Sequence, residues 1–120
     1  MMKINTKTTN IEMTPAIADY LGKKVQMLEK FFRGGEEILV NVEVGKTTKH
    51  HKSGNVFRAE IHITSNGEEY YAASETEDLY ASIDEVKDEI VRELTSKRKR
   101  ALRLVRKGGA LIKKFLRGGK

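Results

Sequence analysis

The sequence predicts an α+β fold of order β-α-β-β-β-α, a two-layer sandwich with two helices on one face of a four-stranded sheet. Three observations predict it. Apolar residues recur at every second position in "EILVNVEVG" and "VFRAEIHIT". They recur three and four positions apart in the segments that begin near Pro15 and Glu77. Gly, Pro and Asn-Gly signals stand where one period gives way to the other.

The opening "MKINTKTTNIEM" alternates through Ile4, Thr6 and Thr8 and stops at Thr14-Pro15, which makes it the first strand. Thr14 suits an N-cap, and Pro15 suits the first helical turn because its φ is already helical and its missing N–H would have had no partner. Ile17, Leu21, Val25, Leu28 and Phe32 form one apolar stripe, so the first helix is expected to run to about Arg33, with Gly34-Gly35 as its stop. In the second strand Ile38, Val40, Val42 and Val44 face one way and Leu39, Asn41 and Glu43 the other. The polar loop "KTTKHHKSGN" leads to a third strand with Phe57, Ala59, Ile61 and Ile63 inward. Asn66-Gly67, where positive φ is cheap, turns the chain into a fourth strand, "EEYYAASET". Thr76 stands where the second helix would be capped, and Leu79, Ile83, Val86, Ile90 and Leu94 form its buried stripe. The three hairpin-connected strands are expected to be antiparallel.

A chain of 120 residues fits one domain that buries about two-thirds of its unfolded surface. It has no cysteine, which removes disulfide frameworks, thiol nucleophiles and thiolate metal sites. Its apolar runs fall far short of the roughly 20 residues that span a bilayer, and "MMKINTKTTN" has no apolar signal segment, so a cytoplasmic location is expected.

The charge is unevenly distributed. The chain holds 23 basic and 17 acidic residues, and from Lys97 onward there are 11 basic residues and no acidic one, which leaves residues 1–96 with 12 against 17, or −5. The chain therefore divides into a mildly acidic body, residues 1–96, and a basic C-terminal extension, residues 97–120, that partly continues the second helix. Asp84, Glu85, Asp88 and Glu89 precede Lys97, Arg98, Lys99 and Arg100, the order a helix dipole favours. At about 0.3–1 kcal/mol per charge that preference is a weak reason for four consecutive cations.

No enzyme is read here: GxSxG, HExxH and a phosphate-cradling glycine loop are all missing from the sequence. His50-His51 has no further ligand at metal-binding spacing and reads as a solvated or RNA-facing loop, and His62 as surface. The carboxylates at the start of the second helix read as dipole complements rather than an acid/base pair. No cofactor and no small-molecule substrate are expected. Lys23, Lys24, Lys30 and Arg33, taken alone, are equally well a solvated helix face. With Lys46, Lys49 and Lys52 in one loop, and Arg92, Lys97, Lys99, Arg103 and Arg106 on the far part of the second helix, they can merge into one phosphate-binding surface if the helices lie side by side. Only Tyr20, Tyr70, Tyr71 and Tyr80 offer exposed rings, so backbone and shape recognition fit better than base reading. After Gly108-Gly109, "ALIKKFLRGGK" is a short basic amphipathic segment; nucleic acid is the preferred partner over an anionic membrane or a solubility appendage.

Three stretches, "EMTPAIADYLGKKVQMLEKFF", "KTTKHHKSGNVFRAEI" and "NGEEYYAASETEDLYASIDEVKDEIVREL", in that order and spacing, resemble the ribosome hibernation-promoting factor family, also called ribosome-associated inhibitor or ribosomal subunit interface proteins. The resemblance covers about residues 2–100, and "EDLYASIDEV" is its most specific run. It implies a fold akin to double-stranded RNA-binding domains and a non-enzymatic action. Family members occupy the channel of the small ribosomal subunit where messenger and transfer RNA lie, and silence translation in starved or stationary cells. By position the family's cations correspond to Lys24, Lys30 and Arg92, with Lys23 an added neighbour and Glu89 where relatives often have Lys. Long members add a dimerisation domain, which the last 20 or so residues here do not resemble. The expectation is thus a ribosome-binding protein, monomeric off the ribosome, that touches 16S rRNA through Lys23, Lys24, Lys30, Lys46, Lys49, Arg92, Lys97, Arg98, Lys99, Arg100 and Arg103. The alternative is a general RNA-binding or RNA-chaperone module without ribosome preference.

Overall fold

Two edges of unlike origin bound the sheet, whose strand order is β1-β2-β3-β4. Strand β1 (Met2–Thr9) pairs in parallel with β2 (Ile38–Lys46), and β2, β3 (Phe57–Ser65) and β4 (Glu68–Thr76) follow antiparallel. A parallel pair cannot be joined by a tight turn and needs a crossover. Helix α1 (Pro15–Gln26) makes it, and helix α2 (Leu79–Lys107) follows β4. The computed structural model describes residues 2–47 and 54–107, with side chains as far as Lys97.

The period-2 runs bury the expected side. Ile38, Val40, Val42 and Val44 of β2 and Ala59, Ile61 and Ile63 of β3 meet Ile17, Leu21, Val25 and Leu28 from the first helical segment and Leu79, Ile83, Val86 and Ile90 from α2. Burying each larger side chain contributes about 1.5–3 kcal/mol, so both helices are committed to this one face. Asn66 and Gly67, at φ 52° and 77°, form the β3–β4 turn as the sequence predicts. At Thr14 the hydroxyl accepts from the Ile17 N–H at 3.1 Å, with Pro15 following, as expected of a helix start.

Three boundaries differ from expectation. Strand β1 ends at Thr9 because Asn10 takes φ 61°, a left-handed conformation that breaks the ladder. Helix α1 ends at Gln26, and of the segment expected to continue it to Arg33 only Glu29–Phe31 is helical, as a short 3-10 turn, with Phe32 extended. There the Phe31 N–H bonds Leu28 O and the Phe32 N–H bonds Glu29 O. This tighter winding swings Phe32 out of the stripe and edge-on to Tyr70, with ring centroids 6.2 Å apart, so tertiary packing rather than the glycine pair ends the helix. The cap of α2 is Asp78, not Thr76: the Asp78 carboxylate accepts from the Ala81 N–H at 2.9 Å, while Thr76 remains the last residue of β4.

Gly45 lies opposite Thr9, the last residue of β1. A Cβ there would lie 2.3 Å from the carbonyl oxygen of Thr9, a backbone atom that cannot step aside without moving β1. Gly45→Ala is therefore expected to cost about 1–3 kcal/mol and to lower the melting temperature by about 5–15 °C, measured by circular dichroism. A melting temperature unchanged from the native protein would show that β1 yields freely.

Candidate nucleic-acid interface

Where the two helices meet, the contacts pair residues one turn apart. Tyr20 and Lys24 of α1 face Tyr80 and Asp84 of α2: the Tyr20 and Tyr80 rings stand edge to face at 5.0 Å, and Lys24 Nζ lies 3.2 Å from Asp84 Oδ1. Tyr20 also donates its hydroxyl to Asp84 at 2.6 Å, and the Lys24 ammonium sits 5.2 Å from the centre of the Tyr20 ring. Because residue 20 matches 80 and 24 matches 84, α1 and α2 run side by side in the same direction. Both helices begin at the sheet end that holds Lys46 and finish at the end that holds the β3–β4 turn.

This cluster has its own pH signature. The hydrogen bond from Tyr20, and then the Lys24 ammonium, hold the Asp84 carboxyl below its ordinary value despite its partial burial. Asp84 in turn pushes Lys24 up and, chiefly through the shared hydrogen bond, Tyr20 up. A carboxylate with a depressed folded pKa contributes stability that is present in full above its unfolded value, about 3.9, and disappears as pH falls through the folded value. The native protein should exceed Asp84→Asn in stability at pH 6, and the gap should close below about pH 4, as read by urea titration at each pH. A gap independent of pH would refute the ionic tie.

The cations named from sequence fall into distinct places. Lys23 lies on the exposed side of α1, 3.3 Å from Asp19. Lys24 is turned to Asp84, its side chain only 26% exposed. Lys30 follows on the 3-10 turn, its ammonium 5.6 Å from the Phe31 ring centre. Arg92 is exposed on α2 and paired with Glu89 one turn earlier, the carboxylate that stands where the family resemblance expects a lysine. Lys97 reaches back to β4, donating to the Glu69 carbonyl at 2.6 Å and lying 4.5 Å from the Tyr70 ring centre. These five gather on or beside the two helices, whereas Lys46 sits at the sheet end where both helices begin, about 27 Å by strand length from the end that Lys97 reaches. Lys49, with His50, His51 and Lys52, lies outside the described residues. Arg98, Lys99, Arg100 and Arg103 lie on α2, and their side chains are likewise outside the described residues.

Helix α2 is longer than the sheet beneath it. Leu79 to Lys97 rises about 27 Å, which equals the length of β4, and the residues from Arg98 to Lys107 carry the helix about 15 Å further. In the body, Lys23, Lys24 and Arg92 each have a carboxylate partner. The extension has no acidic residue at all.

The opposite face of the sheet has a different character. Arg58 is held by Glu60 at 3.0 Å and Glu75 at 3.2 Å, His62 stands 2.8 Å from Glu69, and Tyr71 donates to Glu60 at 3.0 Å. Burial and then the Glu60 carboxylate push the Tyr71 hydroxyl above its ordinary pKa. A hollow of about 390 Å³ there is lined by Asn5, Lys7, Asn41, Glu43, Glu60 and His62. Glu43 and Glu60 are cross-strand neighbours, so phosphates gain little on this side. Among the described residues no group of three His, Cys, Asp or Glu side chains is placed to hold a metal ion, and no helix is long and apolar enough to cross a membrane.

Sequence reasoning missed Asp84 as the partner of Lys24, and it missed Ser82. The i,i+4 pairs Tyr20/Lys24 and Tyr80/Asp84 were a usable signal for the first. Of the four tyrosines, Tyr71 and Tyr80 are exposed, while Tyr20 and Tyr70 are partly buried against the core.

Comparison with known proteins agrees with this architecture. The family model described as sigma 54 modulation protein / S30EA ribosomal protein matches residues 4–102. The chain belongs to this family. It is 34% identical over 94 residues to the ribosome hibernation promoting factor of Klebsiella oxytoca, covering 78% of this chain and 90% of that one. A longer relative, the ribosome hibernation promotion factor of Lactococcus lactis, is 29% identical over 96 residues, which are 48% of its length. Among solved structures, the N-terminal domain of Thermus thermophilus Protein Y superposes with a TM-score of 0.62 at 29% identity, covering 74% of this chain and 90% of that one. A ribosomal subunit interface protein from Coxiella burnetii shares the fold, with a TM-score of 0.64 at 13% identity over 82% of this chain and 99% of that one. The helices of this chain share one side of a four-stranded sheet, and this α+β fold is the one that superposes on those structures.

Proposed function

We propose that this protein is a ribosome hibernation factor that binds the small subunit in the cytoplasm and silences translation by occupying the channel for messenger and transfer RNA. Its helical side and the extension of α2 face 16S rRNA, and the carboxylate-rich side of the sheet faces away. The observation that carries this reading is the division of charge. Three body cations are matched by carboxylates, while α2 continues past the sheet into a run of cations with no acidic residue. A helix that projects unneutralised charge from a rigid body suits the phosphate backbone of a structured RNA, whose released counterions supply the driving force. The proposed likeness to double-stranded RNA-binding domains fits the same shape-led recognition. Family membership supplies the ribosome as the polyanion. No reacting group is required, since occupation of the channel suffices.

Sedimentation of a stationary-phase lysate through a sucrose gradient tests the reading. The protein is expected with small subunits or whole ribosomes, and purified protein added in excess is expected to stop translation in a cell-free system. A spread over free RNA with translation undisturbed would instead establish a general RNA-binding module.

A further inference from the structure

Lys97 is the first cation of the basic extension, and by composition alone it counts as a phosphate ligand. Its surroundings say otherwise. The ammonium donates to the backbone carbonyl of Glu69 at 2.6 Å and lies over the Tyr70 ring, 4.5 Å from its centre. Tyr70 is packed edge-on against Phe32, the residue that follows the 3-10 turn carrying Lys30. One side chain thus joins the last turn of α2 above the sheet to the start of β4 and, through two rings, to the segment after α1. It does so at the level where the sheet stops and the overhang begins.

We propose that Lys97 is a positioning residue, a clasp that sets the direction in which the basic end of α2 leaves the body. The proposal rests on the ribosome-binding reading for its consequence but not for its geometry. A helix free to bend at its exit would present Arg98 to Arg103 over a wide cone, and each phosphate contact would then carry an ordering cost. A helix held by an ammonium–carbonyl bond and a cation–ring contact presents them in one direction. The clasp draws on a backbone carbonyl, so its specificity lies in Lys97 and Tyr70 and in the reach between them.

Two measurements decide it. The first uses the free protein, which has no native cysteine, so that spin labels at Asp19→Cys and Arg106→Cys are unambiguous. The distance distribution between them should be narrow, should broaden in both Lys97→Met and Tyr70→Leu, and should narrow again in Lys97→Arg, which keeps a donor and a cation. The second measures affinity for isolated small subunits across a salt series. Lys97→Met and Tyr70→Leu should each weaken binding by about fivefold, the pair together no more than either alone, with the slope of log affinity against log salt unchanged. A slope flattened by about 0.7–0.9 in Lys97→Met, with Tyr70→Leu binding as the native protein does, would make Lys97 a phosphate ligand and overturn the clasp. Distributions as narrow in the variants as in the native protein would overturn it too. Should the native protein fail to bind small subunits, the proposed function falls, and the distance measurement alone still decides the clasp.

Discussion

Replacing Arg98, Lys99, Arg100 and Arg103 together by glutamine is expected to flatten the salt dependence of ribosome binding by about three units of slope. Each phosphate neutralised steepens the fall of log affinity with log salt by about 0.9 on duplex and about 0.7 on single-stranded nucleic acid. Over a fourfold rise in salt the native protein should thus lose about 60-fold more affinity than the variant. The body is expected to contribute far less. Lys23, Lys24 and Arg92 enter the complex already paired with Asp19, Asp84 and Glu89, so a new phosphate contact there exchanges one anion for another and releases few ions. Removing Lys97 to Lys120 should flatten the slope further, by several units, without loss of the folded body, whose described core ends at Leu94. Filter binding or sedimentation at four or more salt concentrations reads both. A slope identical to that of the native protein would reject the extension as the anchor and return the task to the paired cations of the helices.

The second large effect concerns folding. Ser82 is fully buried on α2, and its hydroxyl donates to the Phe57 carbonyl at 2.9 Å, accepts from the Thr76 N–H at 3.1 Å and lies 2.8 Å from the Thr76 hydroxyl. Phe57 opens β3 and Thr76 closes β4, directly opposite each other in register. The serine thus ties the start of α2 to the last rung of the β3–β4 ladder. Ser82→Val fills the space with carbon and leaves two partly buried backbone groups without this partner. We expect a loss of about 2–4 kcal/mol and a melting temperature lower by about 10–20 °C. Ser82→Thr, which keeps the hydroxyl, should lose clearly less. Equal stability of the valine and threonine variants would show that volume matters here and the hydrogen bonds do not.

Much of the fold was legible because periodicity reports burial directly. The alternation of Ile38, Val40, Val42 and Val44 and the stripe from Leu79 to Ile90 leave one way to cover apolar surface, with both helices on one side of the sheet. The Asn66-Gly67 turn and the Thr14-Pro15 start were equally plain, since each is a local conformational preference written in two adjacent residues. The end of α1 was not legible. Its stripe continues in sequence to Phe32, and only the nearness of Tyr70, 38 positions later, draws that ring away. Thr76 and Asp78 both satisfy the chemistry of a cap, and the pairing of Thr76 with Phe57 at the end of the ladder leaves the role to Asp78.

The candidate interface divides along the same line. Composition by itself determined that an acidic body carries a basic extension, because charge is counted without knowing where side chains point. It also determined the two-layer architecture, through the repeat distances of apolar residues. Tertiary structure alone decided which cations are committed: Lys24 to Asp84 across the helix pair, and Lys97 to Glu69 and Tyr70 at the end of the sheet. The reason is physical. Burial pattern is a property of one segment and its own period, whereas an ion pair between residues 60 positions apart depends on the direction and spacing of two helices, which are set when the core closes.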